Sequence, residues 1–291
     1  MRTATWLTAA CLTALGCAAS PGVTSEAPPP SPPATSSAPP AASIDPPPAK
    51  EPELPKLSLE PLEPRHAEDA ALNLELKFPI RGQRVRLDRA AAYNVRLQLD
   101  GLPRGTKGRA LLQLDDHQPI EVDPSKPVRL GSLIDEDRDL TAGPHLLFAV
   151  ALGPDGRALS PRPGASRGPE AWVEFGVDTA ELPERPAVIR VVSPRGTFNG
   201  PAQAEAAELD VRVGPPLSQG PARRVRLVIR GPAVLSQDID AGPHRLLGLV
   251  SGDYHITATL LDARSEPLTH PGATDEQIIT VNLDAPSAES R

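Results

Sequence analysis

Thiols, aromatic rings and excess positive charge are all scarce in this chain, and each scarcity removes a class of protein. Only 2 of the 291 residues are cysteine, Cys11 and Cys17, and both fall at the N-terminal edge. Everything after Cys17 therefore lacks a thiol, which excludes a disulfide-stapled scaffold, a zinc–thiolate finger and a cysteine nucleophile there. A folded region of this kind must hold together by packing alone. Phe, Trp and Tyr make up 3% of the residues, few for the aromatic platforms that carbohydrate recognition favours. The formal net charge of −7 gives no electrostatic case for nucleic acid as a partner. There is no G-x-S-x-G, no phosphate loop and no pair of carboxylates in a recognisable frame. An enzyme is not expected, and neither is a cofactor.

What is present begins with residues 1–17, MRTATWLTAACLTALGC. Arg2 supplies a positive start, and Ala4 to Leu15 form an apolar run broken by Thr5, Thr8 and Thr13. The run is shorter than the roughly 20 residues that span a bilayer but suits the apolar region of an export signal. It ends in Ala14-Leu15-Gly16-Cys17. This resembles the lipobox of bacterial lipoproteins, although Ala14 and Leu15 stand in swapped order relative to that family's pattern. The resemblance implies a signal peptide over residues 1–16, a lipid on Cys17 and attachment to a membrane of the bacterial cell envelope. Ala18, which is not acidic, points to the outer membrane. A signal cut after Ala19 that leaves a secreted chain, and a short uncleaved anchor, are the alternatives.

Residues 17–68 read as a lipidated cysteine followed by a disordered proline-rich tether. From Pro21 to Pro64 there are 15 prolines out of 37 in the chain. Proline fixes φ and lacks a donor, so such a segment stays extended or disordered and reaches on the order of 100 Å. It reads as a spacer, with a PxxP ligand as the alternative.

After the tether, apolar and polar residues alternate with period two, the signature of half-buried strands. Leu72, Leu74, Leu76 and Phe78 form one apolar face; Tyr93, Val95, Leu97 and Leu99 another; Leu209, Val211 and Val213 a third; Val225, Leu227 and Ile229 a fourth. The chain also repeats itself. LELKFPIRG from Leu74 is echoed by IRVVSPRG from Ile189, AAYNVRLQLDGL by AAELDVRVGPPL, and AWVEFGVD from Ala171 by QIITVNLD from Gln277. AGPHLLFAVALGPDGRAL from Ala142 is echoed by VSGDYHITATLLDARSEPL from Val250. A spacing of about 115 residues or slightly less argues for a tandem duplication. The fold class expected is all-β, with two tandem sandwiches over residues 69–180 and 187–286.

The stretch Leu249 to Ile256, LVSGDYHI, resembles the entry to the sixth strand of immunoglobulin-like and fibronectin-III-like domains, where a tyrosine corner forms. The resemblance implies that Tyr254 buries its ring and pins the preceding loop with its hydroxyl. In the first unit His145 stands in that place. Strand residues 146–152 pose a conflict. The repeat would bury His145, Leu147, Ala149 and Ala151, whereas hydrophobicity would bury Leu146, Phe148, Val150 and Leu152. A strand apolar on both faces predicts a cover on its outer face, from the second unit or from a partner.

Candidate ligand surfaces are few. Asp135, Asp137 and Asp139 alternate like the opening of a calcium loop, but Leu140 and Leu146 occupy the sixth and twelfth places where an EF-hand needs Gly and Glu. A weaker calcium site or an acidic solvated loop remain as readings. Arg223, Arg224, Arg226 and Arg230 form one basic cluster and Arg81, Arg84, Arg86 and Arg89 another, suited to an anionic glycan or to a wet sheet face. His145 and His244 both follow Ala-Gly-Pro but occupy different places in the repeat, and no histidine spacing suits a metal. Trp172 and Phe175 read as core. The function expected is that of a non-enzymatic envelope module that presents, spaces or assists, with an unknown envelope protein or glycan as partner. A glycan- or calcium-binding protein is the alternative, and a hydrolase with an unrecognised site the third reading.

Overall fold

The computed structural model describes residues 56–66, 72–102, 105–162, 168–182, 187–214 and 224–285. The signal, Cys17 and the tether up to residue 55 lie outside the described residues. The fold is all-β: two immunoglobulin-like sandwiches, each of two sheets around its own apolar core.

The chain enters with β1 (Ser58–Pro61). The first sandwich follows with β2 (Asn73–Phe78), β3 (Arg84–Val85), the helical turn α1 (Leu87–Ala90), β4 (Asn94–Asp100), β5 (Ala110–Leu114), β6 (Ile120–Val122), β7 (Val128–Arg129), a 3-10 turn at Leu130–Leu133, β8 (Gly143–Ala151) and β9 (Glu170–Val177). One sheet runs β2-β4-β7 and the other β3-β9-β8-β5-β6. The second sandwich contains β10 (Val188–Ser193), β11 (Gly196–Asn199), α2 (Pro201–Glu205), β12 (Glu208–Gly214), β13 (Arg224–Arg230), β14 (Leu235–Asp240), β15 (Gly242–Leu247), β16 (Gly252–Leu260) and β17 (Thr274–Asn282). Its sheets run β1-β15-β12-β10 and β11-β17-β16-β13-β14. With β1 set aside the two orders correspond strand for strand, down to the short strands β3 and β11 that pair parallel with the last strand of each unit.

The alternation explains the cores. Leu74, Leu76, Val95, Leu97, Leu112, Leu147 and Phe175 meet inside the first sandwich, and Ile189, Val191, Leu209, Val211, Leu227, Tyr254 and Ile256 inside the second. Burying each such side chain contributes about 1.5–3 kcal/mol. Two local details depart from the simple pattern. A register shift between Leu76 and Phe78 reverses the alternation, so Phe78 turns outward and is 45% exposed instead of joining the Leu72–Leu76 face. The same shift recurs between Val191 and Ser193, and each is followed by a cis X-Pro bond, Phe78–Pro79 and Ser193–Pro194. Strand pairing then sets Leu97 opposite Leu76 and Val211 opposite Val191, so Val95 corresponds to Leu209. A letter-by-letter match of the repeat is therefore one residue out in this segment.

The stretch read as tether ends in a strand. Ser58–Pro61 pairs antiparallel with β15, Ser58 opposite Leu247 and Pro61 opposite His244, and Leu62 donates its N–H to the Pro243 carbonyl at 3.0 Å. Leu57 is buried in the core of the second sandwich, with Leu59 packed against it. The reason is local: Leu57 and Leu59 alternate where prolines thin out. With the Leu62 amide aimed at β15, the missing donor of Pro61 falls on the outer side of an edge strand, where it costs no ladder bond.

Candidate functional site: a seam between sandwiches and an open sheet edge

Much of the outer face of the β5-β8-β9 sheet is covered. Leu111, Phe148, Val150 and Leu152 form a third apolar cluster with Val192 of β10, and Trp172 packs against it. Phe148 and Trp172 lie with ring centroids 4.2 Å apart. Across the seam, Gly214 receives the Trp172 ring so closely that a Cβ there would collide with it. Strand β8 thus buries both faces: Leu147, Ala149 and Ala151 in the first core, Phe148, Val150 and Leu152 in the seam. The cover expected for this strand is the second sandwich. Phe175 is core, but Trp172, three residues away and so on the opposite face, belongs to the seam.

Polar residues complete the seam. The Arg212 guanidinium holds Asp210 at 2.8 and 2.6 Å and stands 3.7 Å from Glu170 of the first sandwich. Arg157 reaches Glu208 at 3.0 Å, and Arg195 donates to the Pro119 carbonyl at 3.4 Å. Burial pushes the carboxyls of Glu170 and Glu208 up, only partly offset by Arg212 and Arg65 respectively. Burial likewise pulls Arg195 down, against the pull of Glu121. A comparable pair sits within the second sandwich, where Arg190 and Asp275 are both buried, Asp275 accepts the Val191 N–H at 2.7 Å, and burial raises its carboxyl despite Arg190. Sequence reasoning missed these groups because Asp210 and Arg212 alternate with the core residues of β12 and so look like a wetted face.

The corner of the second unit is built as the resemblance implies, and that of the first departs from it. Tyr254 is fully buried, and its hydroxyl accepts from the Val250 N–H at 3.0 Å and donates to the Val250 carbonyl at 3.1 Å. His145 takes the equivalent place. Its Nε2 lies 2.9 Å from the Thr141 carbonyl, also four residues upstream, and its Nδ1 lies 2.6 Å from Asp115. This histidine does structural work. His244 sits elsewhere, in β15, with Nδ1 3.1 Å from the Gly242 carbonyl.

The candidate ligand residues are dispersed or already engaged. Asp135 accepts the Gln118 N–H at 3.0 Å and meets His117 Nδ1 at 3.1 Å, whereas Asp137 and Asp139 are exposed. Among the described residues no group of three or more His, Cys, Asp or Glu is placed to hold a metal ion. On β13, Arg226 makes a two-pronged pair with Asp238 at 2.9 and 3.2 Å, which holds that carboxyl below its usual range. Arg224 stands opposite Asp240 in register, and Arg230 is exposed. The acidic strand β14 thus supplies the anion that this basic face attracts. In the other cluster Arg86 pairs with Asp88 at 2.9 Å, Arg84 lies 4.0 Å from Asp178, and Arg81 lies 3.9 Å from Glu174.

A recess of about 710 Å³ lies along the first sandwich beside β4. Lys77, Phe78, Arg96, Leu97, Leu99 and Lys107 line it together with Leu102 and Pro124. It exists because β7 pairs with β4 only at Asn94 and Val95. Lys126, which the register would set opposite Leu97, instead belongs to the turn Asp123–Lys126, with its N–H on the Asp123 carbonyl at 3.0 Å.

No known family matches this chain, and neither does any curated protein. Several solved structures are similar at a low level. The fibronectin(III)-like modules of Clostridium thermocellum CbhA share 16% identity over 72% of this chain and 94% of theirs, with a TM-score of 0.25. A two-domain fibronectin type III segment of chicken tenascin shares 13% over 72% and 99%, with a TM-score of 0.20. A bacterial ice-binding adhesin shares 16% over 74% and 66%, also at 0.20. Likeness at this level carries no argument about activity or partners.

Proposed function

We propose that this protein is a lipid-anchored, non-enzymatic module of the bacterial cell envelope that holds a coupled pair of sandwiches at the end of a tether and presents their surfaces to a partner. The observation that supports this reading most directly is the seam. An apolar cluster, a tryptophan seated on a glycine and the ion pairs Arg212–Glu170 and Arg157–Glu208 join two β-units within one compact body. Such a body suits presentation at a defined geometry more than independent domain motion, the usual expectation for small polar interfaces. The upstream chain enters through β1, so a tether from Cys17 would join the body at a strand of the second sandwich. An unidentified envelope protein is the partner this arrangement suits, and the outer membrane the place.

The test is the intact mass of membrane-extracted protein, wild type beside Cys17→Ser. A mature chain that begins at Cys17 with added acyl mass, absent from the variant, is the expected result. An unmodified soluble mature chain would remove the anchor and leave a secreted pair of sandwiches.

A further inference from the structure

We propose that the unpaired half of β4, residues Arg96 to Asp100, is a strand-addition site that takes an extended acidic peptide segment of a partner protein. Strand pairing fixes which backbone groups point there. The Tyr93 carbonyl accepts the Leu130 N–H at 2.7 Å, and Val95 pairs with Val128, so odd-numbered residues of β4 aim their N–H and C=O at the β7 side. Beyond Val95 the next such residues are Leu97 and Leu99, and among the described residues nothing pairs with their backbone on that side. Both line the recess. An edge of this kind is a template for a further strand, and peptides use it by contributing main-chain hydrogen bonds and alternate side chains.

The second sandwich shows how this chain treats an edge of the same sheet. There β15 runs for six residues and pairs over four with β12, and the upstream segment β1 is laid on its outer side. Among the described residues the first sandwich has no such cover. The four residues from Arg96 to Leu99 span about 13 Å, room for a short strand.

The walls specify the chemistry of the occupant. Lys77, Arg96 and Lys107 line the recess against one carboxylate, Asp123, in a protein whose net charge is −7. Lys77 is held by Glu75 at 2.6 Å, but Arg96 and Lys107 form no ion pair among the described residues. Asp123 is occupied by the Ser125 hydroxyl at 2.6 Å, which contributes to holding its carboxyl low. The inner side of the groove is apolar, with Leu99 and Leu102, whereas the outward-turned Phe78 stands opposite Arg96 on the cationic side. A strand that places acidic side chains towards Arg96 and Lys107 and apolar ones onto Leu99 and Leu102 meets both walls. A second copy of this chain, edge to edge, would set the same cations against each other. A proline-rich segment would lack donors for the ladder. The inference rests on the reading of the protein as a binding module and not on the lipid at Cys17.

The experiment uses the full chain and a capped hexapeptide of alternating Glu and Val. Amide exchange is read at Leu97 and Leu99, beside the affinity of the peptide, of its backbone N-methylated form, of its Lys-for-Glu form and of a sulfated oligosaccharide. The expected result is slowed exchange at both leucines. Affinity should fall at least about tenfold on N-methylation, on Lys-for-Glu exchange, and in Arg96→Glu or Lys107→Glu proteins whose melting is unchanged. Absence of slowed exchange at about 1 mM peptide overturns the proposal. So does equal binding of the N-methylated peptide, or binding of the oligosaccharide alone, which would make the recess an anion site. None of these outcomes depends on whether Cys17 is acylated.

Discussion

The two sandwiches share a strand plan but finish their edges and corners differently. In the second, a long β15 carries β1 on its outer side and Tyr254 closes the corner with one hydroxyl. In the first, β7 is two residues long, half of β4 is left open, and the corner needs His145 together with Asp115 and the Thr141 carbonyl. The second unit is thus finished with material from outside its own span. The first keeps an edge available and surrenders one sheet face to the seam. A duplication fixes the plan, and what each copy then packs against sets its finish.

The largest effect that sharpens this comparison comes from the seam. Phe148→Ala should cost about 3–5 kcal/mol, since Phe148 is 3% exposed and stacked on Trp172. Calorimetry should show two separated transitions where the wild type shows one; a single shifted transition would mean that the seam does not couple the units. Next, Leu57→Ala should cost about 2–5 kcal/mol and act on the second sandwich alone, because Leu57 lies in its core. Faster amide exchange confined to β15 and β12 would establish that; equal loss in the first sandwich would argue against β1 as a local cover.

A smaller contrast separates the corners. Tyr254→Phe should cost about 0.5–1.5 kcal/mol, because it removes the hydroxyl that bonds both backbone groups of Val250, measurable by denaturant titration. His145→Phe should destabilise the first sandwich instead, with Asp115 left to water. If both variants lower the same transition, the corners are not independent.

The smallest effect is on pH. Burial raises the folded-state carboxyls of Glu170 and Glu208 above their ordinary 4.5, so between that value and the raised one the folded chain binds more protons than the unfolded chain. Stability should therefore fall as pH rises from about 4.5 towards neutrality. The lowered carboxyl of Asp238, held by Arg226, acts in the opposite sense only below about its ordinary 3.8. Thermal melts of Glu170→Gln should show a shallower decline above pH 4.5 than the wild type; an identical profile would remove Glu170 from the seam's electrostatics.

Much of the fold was legible in the residues. Alternation in Leu74–Leu76, Val225–Ile229 and Tyr254–Leu260 names the inward faces, because a pleated strand has a fixed period of two. LVSGDYHI gave the corner, because a buried hydroxyl beside a turn needs a local backbone partner. The conflict in strand 146–152 was itself informative, since a strand apolar on both faces needs two covers. Other features were hidden. Asp210 and Arg212 read as wet, and only the first sandwich lying against them makes them buried. Trp172 read as core, although its separation of three from Phe175 puts the two rings on opposite faces. The open half of β4 leaves no trace in β4 itself, since it arises from the turn at Asp123–Lys126 that keeps β7 short.

By itself the sequence determined that two β-rich units of one plan follow a proline-rich stretch, and which side chains of most strands face a core. Periodicity and duplication are properties of the chain alone, so they survive without coordinates. Only the tertiary structure decided that Ser58–Pro61 completes the second sandwich, that the outer face of β8 and β9 meets β10 and β12, and that half of β4 stays without a partner on the β7 side among the described residues. Alternation records that a face is apolar or polar. What lies against that face depends on segments far along the chain, and packing between them is fixed only when they meet.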